Sequence, residues 1–142
     1  MEITLAHGSG GAATGELIRT VFAKAFDNPI LRQMDDSAVV PGSGQLAVTT
    51  DSFVVQPLFF PGGDIGRLAV CGTVNDLLMR GAMPKYLTAG FILETGCTTQ
   101  DLRRIARSMA ATADEAGVTI VAGDTKLSLI HISEPTRRVV IS

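Results

Sequence analysis

The sequence contains few of the residues that mark several common classes of protein. It has no Trp, one Tyr and two Cys among 142 residues, and its net charge of −2 includes no basic cluster before the C-terminal end. Without aromatic stacking or positive charge, nucleic-acid binding has no support. Cys71 and Cys97 are too few for a disulfide framework and lack metal-ligand spacing. We therefore expect reduced thiols that pack as small apolar side chains in a cytoplasmic protein.

Long apolar runs and a recognisable leader are also missing. No apolar stretch approaches the roughly 18 residues of a transmembrane helix, and the N-terminal residues have neither the basic nor the apolar region of a signal peptide. The composition is that of an ordinary globular domain, 46 % apolar and 18 % charged. The 15 Gly residues occur in groups, which is typical of turns or of backbone that approaches a ligand closely.

The first half of the chain predicts a strand, a helix and a hairpin. Residues 2–6 are a short strand candidate, and the sequence HGSGG at 7–11 indicates a loop. Helical spacing of apolar residues predicts a helix over 14–26, with Thr14 as its N-cap and Asn28–Pro29 beyond its end. The β-rich runs 35–40 and 45–55, joined by PGSG at 41–44, predict a hairpin.

The second half predicts two helices and two strands in alternation. Asp64 is expected to cap a helix that reaches about Arg80, and a strand follows over 85–93. Thr98 or Thr99 is expected to cap the next helix and Gly117 to end it, before a buried strand over 118–124. One face of that helix is apolar, with Leu102, Ile105, Ala106, Met109, Ala110 and Ala113. This order of elements predicts an α/β fold.

Residues 127–142 do not continue this pattern. The segment LSLIHISEPTRRVVIS has no clear period and no turn chemistry that fits the preceding elements. It resembles the translated adapter or vector-like tails that sometimes end metagenomic reading frames. We therefore expect a non-native or artefactual tail and take residues 1–126 as the domain, with no functional inference drawn from the tail. The alternative is an ordinary β-hairpin that ends the domain.

The glycine-rich loop at residues 7–11 is a candidate phosphate site. Backbone N–H groups in a loop between a strand and a helix can point at phosphate oxygens, and the absence of Cβ atoms lets the ligand approach. The loop is not a Walker A motif, because no Lys-Ser/Thr pair follows it. A flexible turn is an equally good interpretation of these residues alone.

Carboxylates stand at the ends of several apolar segments. Asp35 and Asp36 precede one such run, Asp51 follows another, and Asp124 follows 118–123. Each is structural by default, since turns favour Asp, but open α/β sheets collect ligands at the ends of strands. Asp76 lies within the apolar stretch LAVCGTVNDLLM, so we expect it to be buried and to need a cation, a cap or several donors.

These side chains match the preferences of magnesium. Mg²⁺ takes hard oxygen ligands and commonly bridges carboxylates to phosphates, whereas the sequence offers no His or Cys cluster for zinc. The run Gly123-Asp124-Thr125-Lys126 supplies a carboxylate, a hydroxyl and a cation together, and Lys126 could neutralise phosphate charge. The residues therefore predict a magnesium–nucleotide phosphate site.

The order of the motifs HGSGG, MDDSAVV, TTDSFVV, PLFFPGGDIGRLAVCGTVNDLLMRGAMP and AGDTK resembles the AIR-synthase-related (PurM-like) superfamily of ATP-binding domains. Within it, the chain is most similar to the HypE family of hydrogenase maturation enzymes, the carbamoyl dehydratases. The resemblance covers residues 1–126. It implies an α/β (α+β) fold, a PurM-like N-terminal domain with a mixed β-sheet and helices on one face. In a homodimer, the sheets of two chains would pair into a barrel-like core.

The resemblance also implies an activity, its cofactors ATP and Mg²⁺, and partners. Such enzymes use ATP to activate the oxygen of a carbamoyl group on a C-terminal cysteine and eliminate it, which leaves a thiocyanate for the cyanide ligand of a nickel–iron centre. The implied partners are a HypF-like carbamoyltransferase and HypC- and HypD-like scaffold proteins. The C-terminal domain and its cysteine are absent from this sequence, so we expect no catalytic residue here and no turnover by these residues alone.

Carried over by position, the resemblance assigns two sets of site residues. The residues expected on the ATP or phosphate side are Gly8, Ser9, Gly10, Gly11, Asp51, Asn75, Thr125 and Lys126. The residues expected on the metal side are Asp35, Asp36, Asp76 and Asp124.

Three other interpretations stay open. Thiamine-monophosphate kinase shares the Asp-Asp, Asn-Asp-Leu and Gly-Asp-Thr elements, but its loop before the central helix differs from PLFFPGGD. Selenophosphate synthetase carries a reactive Cys or selenocysteine followed by Lys in the N-terminal loop, and HGSGG has neither. A non-catalytic dimerisation module would also suit the apolar β content.

Overall fold

Two helices packed on a four-stranded sheet form the centre of the fold. The computed structural model describes residues 1–4, 7, 11–128 and 139–141. The helices in these ranges are α1 (Ala12–Leu17), a π-helical turn (Ile18–Phe22), α2 (Ala23–Ala25), a 3₁₀ turn (Leu31–Gln33), α3 (Ile65–Met79) and α4 (Thr99–Ala116). The strands are β1 (Phe53–Val54), β2 (Phe59–Phe60), β3 (Gly63–Asp64), β4 (Tyr86–Glu94), β5 (Thr119–Ser128) and β6 (Val139–Ile141). The predicted mixed helix-and-strand class is confirmed.

The larger sheet has the strand order β1-β6-β4-β5. β4 and β5 are parallel and α4 connects them, whereas β6 is antiparallel to both β4 and β1. β2 and β3 form a separate antiparallel pair directly before α3. Parallel strands need a crossover connection, and the predicted order of strand 85–93, helix and strand 118–124 supplies one.

Local capping sets the limits of α3 and α4. The Asp64 side chain accepts the Arg67 N–H at 2.8 Å, and the Thr98 hydroxyl accepts the Asp101 N–H at 3.1 Å. Gly117 ends α4 in the left-handed region, with φ 69°, which an L side chain adopts only with strain. The predicted helix ends at Asp64, Thr98 and Gly117 are confirmed. No helix in the described ranges is long and apolar enough to cross a membrane.

The core lies between α3, α4 and the sheet. Ile65, Leu93, Leu102 and Ile105 are fully buried, as is Cys97. α3 approaches α4 closely at Gly66, where a Cβ atom would lie 2.7 Å from the carbonyl oxygen of Ile105 in α4. The apolar face predicted for α4 is the face that packs into this core.

Two predictions in the first half of the chain are wrong. Thr14 does not cap the first helix, which begins at Ala12 after Gly11; its hydroxyl instead donates to the carbonyl oxygen of His7 at 2.8 Å. At the N-terminus, residues 1–4 form an isolated bridge between Glu2 and Thr98 rather than a strand, and positions 5 and 6 of the predicted strand lie outside the described residues.

The hairpin predicted over residues 35–55 does not form. Only Phe53–Val54 is a strand, and Val39, Leu46 and Val48 are 80 %, 71 % and 88 % exposed. High β-propensity is not sufficient here, because a two-stranded hairpin with no third strand or helix against it is marginal in water.

The segment predicted to be a foreign tail takes part in the sheet. Leu127 and Ser128 end β5, and β6 pairs with β4 and β1. Val139 and Ile141 are buried. The rest of the segment lies outside the described residues, and the origin of 127–142 stays a prediction.

Candidate functional site

A pocket of about 340 Å³ lies beside β5. Its lining combines apolar side chains, of which several are buried, with polar side chains that are half-buried or exposed. The polar members are Thr14, Asp35, Asp36, Ser37, Asp124, Thr125 and Lys126. The pocket therefore joins the start of the first helix, the segment after the 3₁₀ turn and the middle of β5, three parts of the chain that are far apart in sequence.

Aromatic rings make the inner side of this pocket apolar. Phe22 and Phe91 are buried and their ring centroids are 4.3 Å apart. Phe26 is stacked on Phe22 at 6.4 Å. Pairs at these separations are favourable and rigid, so the inner wall offers a fixed apolar surface beneath a charged mouth.

Asn28 connects the pocket-lining segment around residues 26–31 to β5 by hydrogen bonds. Its amide nitrogen donates to the carbonyl oxygens of Phe26 and Ile120 at 2.7 and 2.8 Å, and its amide oxygen accepts the N–H groups of Ile30 and Leu31 at 3.1 and 3.0 Å. The sequence indicated only that Asn28 follows a helix. Its contact with β5 spans 92 positions of the chain and leaves no local sequence signal.

Asp124 and Lys126 form an exposed ion pair at the pocket mouth. Lys126 Nζ lies 3.1 Å from Asp124 Oδ2, and the Thr125 N–H donates to Asp124 Oδ1 at 2.9 Å. The side chains are 66 % and 69 % exposed for Asp124 and Lys126. Asp124 was expected at the end of a strand, but β5 continues to Ser128 because its backbone stays paired with β4.

Asp35 and Asp36 face the same pocket from the opposite segment. Both are exposed and follow Met34, which ends the 3₁₀ turn in a left-handed conformation with φ 53°. Directly after this turn, the two carboxylates line the pocket together with Asp124. The structure thus brings together five of the predicted site residues: Asp35, Asp36, Asp124, Thr125 and Lys126.

Asp51, Asn75 and Asp76 lie elsewhere. Asp51 is exposed and lines a second, larger cavity of about 610 Å³. Asn75 and Asp76 line neither cavity.

The expected burial of Asp76 is wrong, since Asp76 is exposed on α3. The core-facing stripe of α3 runs through Ala69, Val70 and Val74, and Asp76 lies off this stripe. Met79 shares the solvent side and is 84 % exposed. A nearly continuous apolar stretch therefore did not imply burial on every side.

The glycine loop can be described only at its ends. Gly8, Ser9 and Gly10 lie outside the described residues. Gly11 precedes α1 with φ 92° and ψ −158°, a conformation open to glycine and strained for other residues. His7, the first residue of the predicted loop, is 9 % exposed.

No metal cage is assembled within the part of the chain that the structure describes. There, no group of three or more His, Cys, Asp or Glu side chains is placed to hold an ion. Magnesium commonly takes one or two carboxylates and completes its shell with phosphate and water. The residues at the pocket mouth therefore fit magnesium only in company with a phosphate ligand.

Comparison with known proteins defines the class to which this fold and site belong. Residues 34–141 match the family described as AIR synthase related protein, N-terminal domain. The chain belongs to this family.

The chain is similar to two curated proteins named carbamoyl dehydratase HypE. That of Rhizobium leguminosarum bv. viciae is 57 % identical over 127 residues, which is 88 % of this chain and 36 % of the relative. That of Escherichia coli (strain K12) is 51 % identical over 131 residues, 88 % of this chain and 39 % of the relative. The chain thus spans less than two fifths of the length of these relatives.

Solved structures agree with these relatives. A crystal structure of hydrogenase maturation protein HypE in complex with ATP superposes with a TM-score of 0.89 at 50 % identity and covers 96 % of this chain and 40 % of that one. A HypE–HypF complex superposes with a TM-score of 0.62 at 53 % identity. The match covers 92 % of this chain and 40 % of that one. The PurM-like fold expected from the sequence is confirmed.

Proposed function

We propose that this chain is the nucleotide-binding N-terminal part of an ATP-dependent carbamoyl dehydratase of hydrogenase maturation. The pocket beside β5 carries the proposal, because it places Asp35, Asp36 and the Asp124–Lys126 pair around an apolar interior. The ATP bound to the similar HypE protein supports nucleotide as the ligand. Identities of 57 % and 51 % to carbamoyl dehydratases favour this activity over thiamine-monophosphate kinase or selenophosphate synthetase.

Lys126 is the proposed phosphate-binding cation. Its ammonium group is exposed and held at 3.1 Å from one carboxylate, so a phosphate oxygen can compete for it. Release of Lys126 would free Asp124 for a magnesium ion that arrives with the nucleotide. The Thr125 hydroxyl and the backbone of Gly8, Ser9, Gly10 and Gly11 complete the proposed phosphate side.

Asp35, Asp36, Asp76 and Asp124 remain the proposed metal-side residues. A magnesium ion would neutralise phosphate charge and orient the phosphates. Asp51, Asn75 and Asp76 lie outside the pocket beside β5. Their proposed contact with the same nucleotide therefore requires a second copy of the chain or a closing domain.

Turnover is proposed to need residues beyond this chain. In the whole enzyme, ATP would activate the oxygen of a carbamoyl group on a C-terminal cysteine, and elimination of that oxygen would leave a thiocyanate. Cys71 lies in α3 and Cys97 is fully buried in the core. Neither thiol matches the position of the carbamoyl-carrying cysteine.

Homodimerisation is the second part of the proposal. Val39, Leu46, Val48 and Val54 are between 63 % and 88 % exposed, and exposed apolar side chains of this kind are the ones that an association between two copies would cover. A HypF-like partner is supported by the complex formed by the similar HypE protein. HypC- and HypD-like partners rest on the resemblance alone. A dimerisation module without chemistry would show the same association but no nucleotide binding.

Isothermal titration calorimetry of this chain with ATP tests the nucleotide part. We expect saturable binding with MgCl₂ and weaker binding with EDTA. Lys126→Ala should weaken ATP binding at least tenfold, because hydrogen bonds to charged groups contribute about 1.5–3 kcal/mol. Asp36→Asn should weaken binding with MgCl₂ more than binding with EDTA.

Asp114→Asn is the matched control, since Asp114 is exposed on α4 and does not line the pocket. It should bind as wild type does. Equal heats for wild type and Asp76→Ala would remove Asp76 from the proposed metal set. If the folded wild-type chain bound no ATP, the proposed function would be contradicted. The chain would then be interpreted as a dimerisation module without chemistry.

A further inference from the structure

The charged groups of the pocket beside β5 stand on two separate parts of the chain. Asp35 and Asp36 belong to residues 26–38 (the turn segment), which contain the 3₁₀ turn. Asp124 and Lys126 belong to β5. The described side chains form no metal cage by themselves, so a magnesium ion and a phosphate would have to span the turn segment and β5 together. The separation of these two parts therefore matters for binding.

The side chain of Asn28 connects the turn segment to β5. Its amide nitrogen donates to the carbonyl oxygen of Ile120 in β5 at 2.8 Å. Its amide oxygen accepts the N–H groups of Ile30 and Leu31, at the start of the 3₁₀ turn, at 3.1 and 3.0 Å. Among the described residues, no other hydrogen bond joins the turn segment to β5. Asn28 is therefore the directional link between the two halves of the proposed site.

The carbonyl group that Asn28 meets lies on an edge of the sheet. β5 is the outermost strand of the described sheet. The Thr119 N–H donates towards β4, to the Lys85 carbonyl oxygen at 2.9 Å. Because successive residues of a strand direct their backbone groups to opposite sides, the Ile120 carbonyl faces the unpaired side. β5 stays paired with β4 from Ile120 to Asp124, with one register shift, so a constraint at Ile120 also acts on Asp124.

The 3₁₀ turn carries the constraint to the other two carboxylates. Met34 ends the turn, and Asp35 and Asp36 follow it directly. Without a bound cation, these two carboxylates and that of Asp124 carry like charges, which repel one another and favour separation of the two parts. Asn28 opposes that separation from a position outside the pocket lining.

We propose that Asn28 is a positioning residue for the magnesium–nucleotide site: its amide holds Asp35 and Asp36 at a fixed separation from Asp124 and Lys126, so that one magnesium–phosphate unit meets both parts. This inference rests on the ATP binding proposed above, and it assigns Asn28 no contact with nucleotide or metal. Binding costs less when the site is arranged beforehand. That gain applies to a ligand that contacts both parts, which is ATP with magnesium.

Calorimetric titration of the full chain with ATP, in MgCl₂ and in EDTA, tests this role. Asn28→Ala removes every side-chain hydrogen bond of Asn28. Asn28→Ser keeps an acceptor for the N–H groups that begin the 3₁₀ turn, but its side chain ends short of Ile120. We expect both variants to bind ATP about tenfold more weakly than wild type in MgCl₂ and within about twofold of wild type in EDTA, as for one lost hydrogen bond that serves the metal-bound ligand. A general loosening of the fold would weaken binding alike in both solutions.

Asp27→Asn is the matched control, because Asp27 is the neighbour of Asn28 and pairs with Arg32 inside the turn segment, at 2.6 Å. It should bind ATP as wild type does in both solutions.

The outcomes separate this inference from the proposed function. Wild-type affinity of Asn28→Ser in MgCl₂ would overturn the inference, since the turn alone would then suffice. Equal weakening in MgCl₂ and EDTA, or a failure of both Asn28 variants to fold, would also overturn it, because Asn28 would then serve the fold alone. In each of these cases, tighter binding by wild type in MgCl₂ would leave the proposed function intact. A folded wild-type chain that bound no ATP, or bound it equally in both solutions, would overturn the proposed magnesium–nucleotide site and the role of Asn28 together.

Discussion

Replacement of two helical glycines by alanine should change stability in opposite directions. Gly66 lies in α3 and Gly15 in α1. A Cβ on Gly66 would lie 2.7 Å from the carbonyl oxygen of Ile105 and 2.8 Å from Cγ of Met109. Among the described residues, a Cβ on Gly15 would meet only the end of the flexible Arg19 side chain, at 3.4 Å. The first site must move backbone to accept a methyl group, and the second need not.

The magnitudes follow from two opposing terms. Alanine gains at most about 1 kcal/mol over glycine within a helix, and overpacking of a core contact costs about 1–3 kcal/mol. Gly66→Ala should therefore lower the free energy of unfolding by up to about 2 kcal/mol. Gly15→Ala should raise it by about 0.5–1 kcal/mol, because only the helix-propensity gain applies.

Urea unfolding followed by circular dichroism measures both variants. The midpoint should fall for Gly66→Ala and rise for Gly15→Ala, with the slope against urea unchanged. If Gly66→Ala proved as stable as Gly15→Ala, the close approach of α3 to α4 at Gly66 would be wrong.

Three further changes test other contacts. Asp64→Ala removes the cap on α3 and should cost about 1 kcal/mol in urea unfolding, whereas Asp64→Asn keeps an acceptor for the Arg67 N–H and should cost less. Asn28→Ala breaks four hydrogen bonds, one to Ile120 of β5 and three within residues 26–31, and should cost about 1–3 kcal/mol; stability equal to wild type would contradict that arrangement. The hydrogen bond from Arg67 lowers the pKa of Glu115 from its ordinary 4.5, so this pair stabilises the fold above about pH 4.5 and the contribution disappears as the pH falls through the lowered pKa. Glu115→Gln should flatten the loss of thermal stability in that acid range, and an unchanged pH profile would argue against the pair.

Features that depend on neighbouring residues could be predicted from the sequence. Asp64, Thr98 and Gly117 mark helix ends because each acts within three or four positions of itself, and all three predictions are confirmed. The apolar face of α4 could also be predicted, since its period is regular. The order strand, helix, strand over residues 85–124 was also predicted, and it supplies the crossover that the parallel β4–β5 pair needs.

Features that depend on residues distant in sequence could not be predicted. The β-rich segment around Val39 and Val48 has the composition of strands, yet strand formation depends on a neighbour that supplies hydrogen bonds. Asp76 shares its apolar stretch with buried residues, but which side of α3 is covered depends on elements elsewhere in the chain. Asp124 was predicted to lie at the end of a strand. That prediction missed the end of β5, because the length of β5 is set by its pairing with β4.

β6 shows that a strand can be added between two others without a specific sequence. The slot between β1 and β4 is filled by Val139–Ile141 through backbone hydrogen bonds, and those bonds are available to any extended tripeptide. The Val139 and Ile141 side chains are buried, and Val and Ile suit a covered pleated surface whatever their origin. Pairing in this slot therefore reflects the unpaired backbone groups that β4 offers on this side, and it does not show where the residues of β6 come from. Removal of β6 would turn β4 into an open edge at Phe91 and Leu93, where the next extended chain to arrive could bind.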